Sequence, residues 1–232
     1  GGEDEGDTVI LRITVTVKDY LQMADEYRFS ADQRKLLEEL MQPEYQELFA
    51  APTGSYQDIE LSPDEVAKIM ENLPADLSEA RREVVLTAYQ LLGRVHYFWG
   101  GKSLVIGWDA RWGELRQVTA AGSSTTGTYR PYGLDCSGFV DWVFFNQSGG
   151  SYIIGHGGGA TMQHSYCTDI SWADAQPGDL VFYPDNSHVG IVGGRGANGG
   201  LLIIHCASGY NNVVITDKEG FTSVGRPQYY GE

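Results

Sequence analysis

The spacing of apolar residues changes once along this chain, near residue 94, and the two halves predict different elements. In residues 8–17 (Thr-Val-Ile-Leu-Arg-Ile-Thr-Val-Thr-Val) β-branched side chains dominate and alternate from Leu11 onward, which predicts one strand, or an edge awaiting a partner. Ser30-Ala31-Asp32-Gln33 is a capping box, and Leu36, Leu37, Leu40 and Met41 then recur at helical spacing until Pro43 stops the pattern. Residues 51–55 read as a loop. Ser62-Pro63-Asp64-Glu65 joins an N-cap, a proline at the first helical position and a box glutamate, so a second helix is expected over 63–72. Val84, Val85, Ala88, Leu91 and Leu92 form an apolar stripe ahead of Gly93, which suits a helix C-terminus. This third helix should open the main domain.

Beyond residue 94, short β-rich runs and glycine turns take over. Residues 178–183, 188–192 and 201–205 are strand candidates, with the glycine-rich stretch 193–200 as a hairpin connection. After Asp135, the residues Phe139, Val140, Val143 and Phe144 recur at i, i+1, i+4, i+5, so a buried amphipathic helix starts at or beside Cys136. The pattern is that of an α+β chain, a loop-rich sheet domain behind a mainly helical N-terminal extension.

Charge narrows the function classes. A formal net charge of −15 argues against a nucleic-acid partner, because phosphate binding rests on Lys and Arg. The acidity is local: residues 1–79 hold 19 Asp/Glu against 6 Lys/Arg, whereas residues 80–232 hold 12 against 10. Residues 1–79 are therefore read as an acidic linker or accessory segment with one strand and two helices, and residues 80–232 as the active domain. No apolar run approaches the roughly 18 residues of a membrane span, so a soluble chain is expected. The opening Gly1-Gly2-Glu3-Asp4-Glu5-Gly6-Asp7 reads as a linker, which leaves room for an export signal or membrane anchor further upstream. Three cysteines leave at least one thiol free, and whether Cys167 and Cys206 pair stays open.

Cys136 sits at the expected helix start, where unpaired N–H groups and the macrodipole favour a thiolate over a thiol of ordinary pKa about 8.5. An isolated cysteine is more often a packing residue. The balance shifts because His188 opens one expected strand and His205 nearly closes the next; in an antiparallel hairpin they sit side by side, with Val189, Ile191 and Ile204 pointing into the core and Gly190 leaving room beside the imidazole. His156, His164 and Cys167 lack a compact metal-ligand spacing, so no metal and no cofactor are expected. His96 reads as a loop residue.

The runs Tyr97-Phe98-Trp99-Gly100-Gly101, Asp135-Cys136-Ser137-Gly138-Phe139-Val140, Pro177-Gly178-Asp179-Leu180, Ser187-His188-Val189-Gly190-Ile191 and Ile204-His205 resemble the NlpC-type cell-wall cysteine peptidases over about residues 80–228. The resemblance implies a papain-like core with helices packed on a small antiparallel sheet, Cys136 as nucleophile, His188 as base and His205 as the group orienting it. It implies Tyr97 beside the sulfur, helping the oxyanion, and Asp135 and Ser137 holding the free amino end of a short peptide. The implied reaction is hydrolysis of the γ-D-glutamyl to diamino-acid bond in peptidoglycan stem peptides, by a monomer outside the cell or at the wall. A wall-binding module with impaired turnover and an acyltransferase are the rival readings. The 33 residues 102–134 depart from the resemblance; their Trp108, Trp112, Tyr129 and Tyr132 are expected either to wall the substrate cleft, with Trp108 and Trp112 as substrate contacts, or to pack on themselves.

Overall fold

The structure is a computed structural model that describes residues 20–26, 28–40 and 58–232, and the chain divides into two compact units, 1–46 and 47–232. The strand expected over residues 8–17 and the loop at 51–55 lie outside the described residues.

In the first unit, α1 (Tyr20–Glu26) and α2 (Ala31–Leu40) are joined by a short turn. The capping box forms reciprocally: Gln33 N–H donates to Ser30 Oγ (3.3 Å) and Ser30 N–H to Gln33 Oε1 (2.8 Å). Arg34 ties the two helices together, donating to the Ala24 carbonyl (3.3 Å) and pairing with Asp25 (2.7 Å).

Among the described residues of the second unit, the first helix is α3 (Pro63–Glu71), capped by Ser62 and Glu65 as their spacing predicts. The chain continues into α4 (Glu79–Gln90), after which Gly93 turns it at φ +73°. Ile59, Ile69, Leu73 and Leu77 are buried in the same core as Val84, Val85, Ala88 and Leu91 of the α4 stripe. As packing, the main unit therefore takes in the α3 segment that the charge pattern groups with the acidic front.

Next come a two-stranded ribbon, β1 (Leu115–Gln117) on β2 (Tyr129–Pro131), then α5 (Cys136–Gln147) and α6 (Gly159–Ser165). An antiparallel six-stranded sheet follows: β3 (Cys167–Ile170), β4 (Leu180–Phe182), β5 (Val189–Arg195), β6 (Leu201–Ala207), β7 (Asn212–Thr216) and β8 (Ser223–Pro227), in the order β3-β8-β4-β5-β6-β7. One sheet face sends Leu180, Phe182, Val189, Ile191, Ile204 and Cys206 against α5, whose residues Cys136 to Phe145 are all buried. The other face carries a smaller cluster of Val181, Val192, Ile203, Phe221 and Val224. The three expected strands are present; β5 runs on through a bulge between Val192 and Gly194 before the turn.

Cys136, Cys167 and Cys206 are free thiols. Cys167 on β3 and Cys206 on β6 are four strand steps apart, about 19 Å at ordinary spacing, well beyond the roughly 7 Å Cα separation that a disulfide spans.

The Pro177-Gly178-Asp179 run has a structural use. The fully buried guanidinium of Arg81 donates to Asp179 Oδ1 and to the Pro177 carbonyl, each at 2.9 Å, and stacks 4.2 Å from the Tyr230 ring. Asp179 also takes the Gln176 N–H (2.8 Å) and faces Arg226 (3.3 Å), so α4, the turn before β4 and β8 meet on one carboxylate. Leaving either charge buried alone is costly, so Arg81→Met is expected to destabilise by about 3–5 kcal/mol in urea unfolding. A loss below about 1 kcal/mol would show that this network is dispensable.

Candidate active site

Two backbone segments must approach very closely to build the site. The Phe98 N–H donates to the Leu134 carbonyl (2.9 Å), Leu134 N–H to His96 (3.1 Å) and Asp135 N–H to Gly101 (3.2 Å), so residues 96–101 lie along residues 133–135 and bring Tyr97 beside Cys136. Gly138 makes this contact feasible: a Cβ there would sit 2.1 Å from the Gly101 carbonyl oxygen. Asp135 caps α5 by accepting from Gly138 N–H (2.6 Å), and it also accepts from Gly100 N–H (3.1 Å) and Ser137 Oγ (3.1 Å).

Cys136 is thus the first residue of the helix, as its sequence context predicts, but it is only 7% exposed. Burial dominates and pushes the thiol up to about 11, assisted by the Asp135 charge, while the N–H groups of Val189 and Ser137 and the Lys102 ammonium pull the other way. Burial thus acts against the thiolate that the helix start favours. Burial likewise lowers His188 and His205 to about 4 each, so both imidazoles are neutral at neutral pH.

The histidines meet as the hairpin geometry predicts. His188 directly precedes β5 and His205 lies on β6, with His188 Nε2 2.7 Å from His205 Nδ1. A Cβ on Gly190 would lie 3.1 Å from His205 Cβ and 2.6 Å from Ile203 Cγ2, so the glycine leaves room for the Ile203 side chain and the root of the His205 side chain. His205 Nε2 in turn lies 2.8 Å from Thr216 Oγ1, and Phe221 and Tyr183 flank the pair. Tyr97 stays protonated, because burial raises its phenol, with the charges of Cys136 and Asp135 acting in the same direction. A cavity of about 580 Å³ opens beside these groups, lined among others by Tyr97, Trp99, Arg130, His188, His205 and Tyr210.

Two expectations change. Trp108 (8% exposed) and Trp112 (1%) pack edge-to-face on each other at 4.9 Å, and Trp112 abuts Trp142 of α5, so neither ring has a free face for a substrate. The insertion instead presents Val118, residues 122–125 and Arg130 to the cavity. Asp135 and Ser137, expected to hold a substrate amine, already hold an internal one: Lys102 Nζ donates to Asp135 Oδ1 (2.7 Å) and to Ser137 Oγ. Tyr132 is also engaged within the chain, donating to the Lys102 carbonyl (2.8 Å) and lying under Arg111 and Arg116. His96 is buried against Asn211 (3.1 Å), more than a loop residue needs to be. His156 bonds the Asp141 carbonyl (3.0 Å) beside Tyr152, whereas His164 stacks on Phe182 and bonds Asp169 and Asn186, each at 2.7 Å. No local sequence pattern marks Lys102 or Thr216 beyond the position of Lys102 directly after the Gly100-Gly101 pair.

A family model described as the NlpC/P60 family matches residues 94–220. The chain belongs to the NlpC/P60 family. Among curated relatives it is 45% identical over 75 residues to a "Probable endopeptidase p60" of Listeria grayi, covering 31% of this chain and 14% of that protein. A probable endopeptidase of Mycobacterium tuberculosis is 38% identical over 84 residues, 34% of this chain and 18% of that one. The chain thus spans less than a fifth of the length of these relatives. Among solved structures, the P60 domain of the Mycobacterium avium subspecies paratuberculosis antigen MAP1204 is 25% identical, with a TM-score of 0.44 over 64% of this chain and 94% of that one. The NlpC/p60 domain of the peptidoglycan hydrolase SagA is 26% identical, with a TM-score of 0.42 over 62% and 97%.

The lowered His188 and His205 contribute to how this NlpC/P60 domain responds to acid. Between about 4 and the ordinary 6.5, the unfolded chain binds protons that folded His188 and His205 refuse, so stability rises with pH across that window. The melting temperature is expected to fall as pH is lowered from 7 to 5, and the slope to flatten in His188→Gln; a slope unchanged by that substitution would exclude His188 as its source.

Proposed function

We propose that the protein is a peptidoglycan hydrolase in which Cys136 cleaves stem peptides through a thioester, with His188 as base and His205 orienting it. The observation that carries this reading is the His188–His205 contact of 2.7 Å on the strand whose first amide, Val189 N–H, reaches the buried Cys136 sulfur. Membership of a family whose matched relatives are named probable endopeptidases supports it.

The chemistry follows from neutral resting groups. As the sulfur attacks the scissile carbonyl carbon, its proton passes to His188, creating thiolate character and imidazolium charge together. That avoids the cost of burying either ion alone. His188 then gives the proton to the leaving amine as the C–N bond breaks, and the acyl group stays on Cys136 as a thioester. Water attacks the thioester, loses its proton to His188, and releases a carboxylic acid as the proton returns to the sulfur. The protonated Tyr97 phenol is the group proposed to donate to the carbonyl oxygen as it gains charge.

The proposed bond is the γ-D-glutamyl to diamino-acid link, and the proposed place of action is the cell wall, reached by export of a longer protein that is anchored or free. The acidic front is proposed to act as a spacer or accessory unit. Because Lys102 occupies Asp135 and Ser137, the substrate's amino end is not assigned to them.

Incubation with purified muropeptides and mass analysis of the products is expected to show cleavage after D-glutamate, and Cys136→Ala to lower the rate by at least about 10³-fold. Undiminished release by that variant would overturn the mechanism. Retention on purified walls without cleavage by the unmodified protein would favour a binding module, and amide products with added amine an acyltransferase.

A further inference from the structure

Beyond the cysteine and the two histidines, a fourth side chain controls where the protons sit. We propose that Thr216 is a positioning residue that sets the tautomers of both imidazoles and thereby leaves His188 Nδ1 as the free lone pair. The proposal rests on the reading of His188 as the base.

The strand register brings Thr216 to His205. Strand β7 pairs with β6 so that Thr216 faces Ile203 and Val214 faces His205, which makes Thr216 a diagonal neighbour of His205 on the same sheet face. Its hydroxyl has one proton, and that proton goes to the Asp217 carbonyl oxygen at 2.9 Å. Toward His205 Nε2, 2.8 Å away, the hydroxyl oxygen can therefore only accept, so Nε2 carries a hydrogen. His205 is 4% exposed and packed against Phe221, an environment that disfavours a second proton on the ring. Its Nδ1 is then bare and accepts across the 2.7 Å contact from His188 Nε2–H. A neutral His188 with its hydrogen on Nε2 has its lone pair on Nδ1.

The opposite polarity would cripple the site. Were the Thr216 hydroxyl to donate to His205 Nε2, the His205 hydrogen would move to Nδ1, His188 Nε2 would become an acceptor, and His188 Nδ1 would carry the hydrogen. The backbone carbonyl of Asp217 prevents this by holding the hydroxyl proton. When His188 takes up a proton on Nδ1, the chain from Nε2 to Thr216 keeps its direction and its bond to His205 becomes charge-assisted, so no hydroxyl or ring need turn over during the reaction.

The test uses the protein with ¹⁵N-labelled histidine and three versions of residue 216. At neutral pH, long-range ¹H–¹⁵N spectra are expected to show both His188 and His205 protonated on Nε2. Thr216→Ser keeps the hydroxyl and is expected to keep both tautomers and a kcat within about threefold. Thr216→Val leaves His205 Nε2–H without an acceptor; it is expected to populate the Nδ1–H form of His188 and to lower kcat on a stem peptide by at least about tenfold, within the range a wrongly set tautomer costs, with KM changed less than about twofold. Retained melting temperature separates this loss from unfolding. A His188 protonated on Nδ1 in the unmodified protein overturns the proposal, as does an unchanged kcat in Thr216→Val. If no stem peptide is cleaved at all, the hydrolase reading fails, while the spectra still decide the tautomers.

Discussion

The close approach of residues 96–101 to the start of α5 is the constraint on which the site depends. Backbone lies on backbone there, with Gly138 under the Gly101 carbonyl and Asp135 collecting N–H groups from Gly100 and Gly138. Once the helix start is pinned in this way, Cys136 has one place to go: into the seam between α5 and the strands, beside the amide of Val189. The same seam puts Tyr97 against the sulfur and Lys102 across Asp135 and Ser137. A side chain at Gly138 would have to push these segments apart, and the nucleophile would move with them.

Burial in that seam decides the electrostatics. A helix N-terminus is worth about a kcal/mol to a nearby anion, and a nearly enclosed sulfur loses more than that when its charge leaves water. Thiol and imidazoles accordingly rest neutral, on opposite sides of their ordinary values. A resting thiol is less open to stray oxidants and electrophiles than a thiolate. Cooperation of the two histidines then depends on direction as much as distance, since each ring has one hydrogen to place.

The sheet provides the rigidity. Helix α5 covers one face with a continuous apolar surface, and the other face holds the imidazoles against Phe221 and Tyr183. The buried Arg81–Asp179 network ties α4 to the turn before β4 and to β8, so the strand leading to His188 is anchored from behind. The 102–134 insertion contributes to both regions: its two tryptophans complete the core beside Trp142, while its later residues wall the cavity.

What the sequence by itself determined is what short-range physics governs. The two capping boxes, the α4 stripe, the start of α5 at Cys136, the three central strands and the pairing of His188 with His205 follow from residue periodicity, caps and turns that act within a few residues or across one hairpin. The tertiary structure alone decided the rest, because it turns on partners far apart in the chain. Asp179 meets Arg81 across 98 residues, Asp135 meets Lys102 across 33, and no local pattern says that Trp108 and Trp112 face inward instead of toward a ligand. The resting charge of Cys136 belongs to the same class: its helix position is written locally, but the desolvation that acts against the thiolate comes from everything packed around the sulfur.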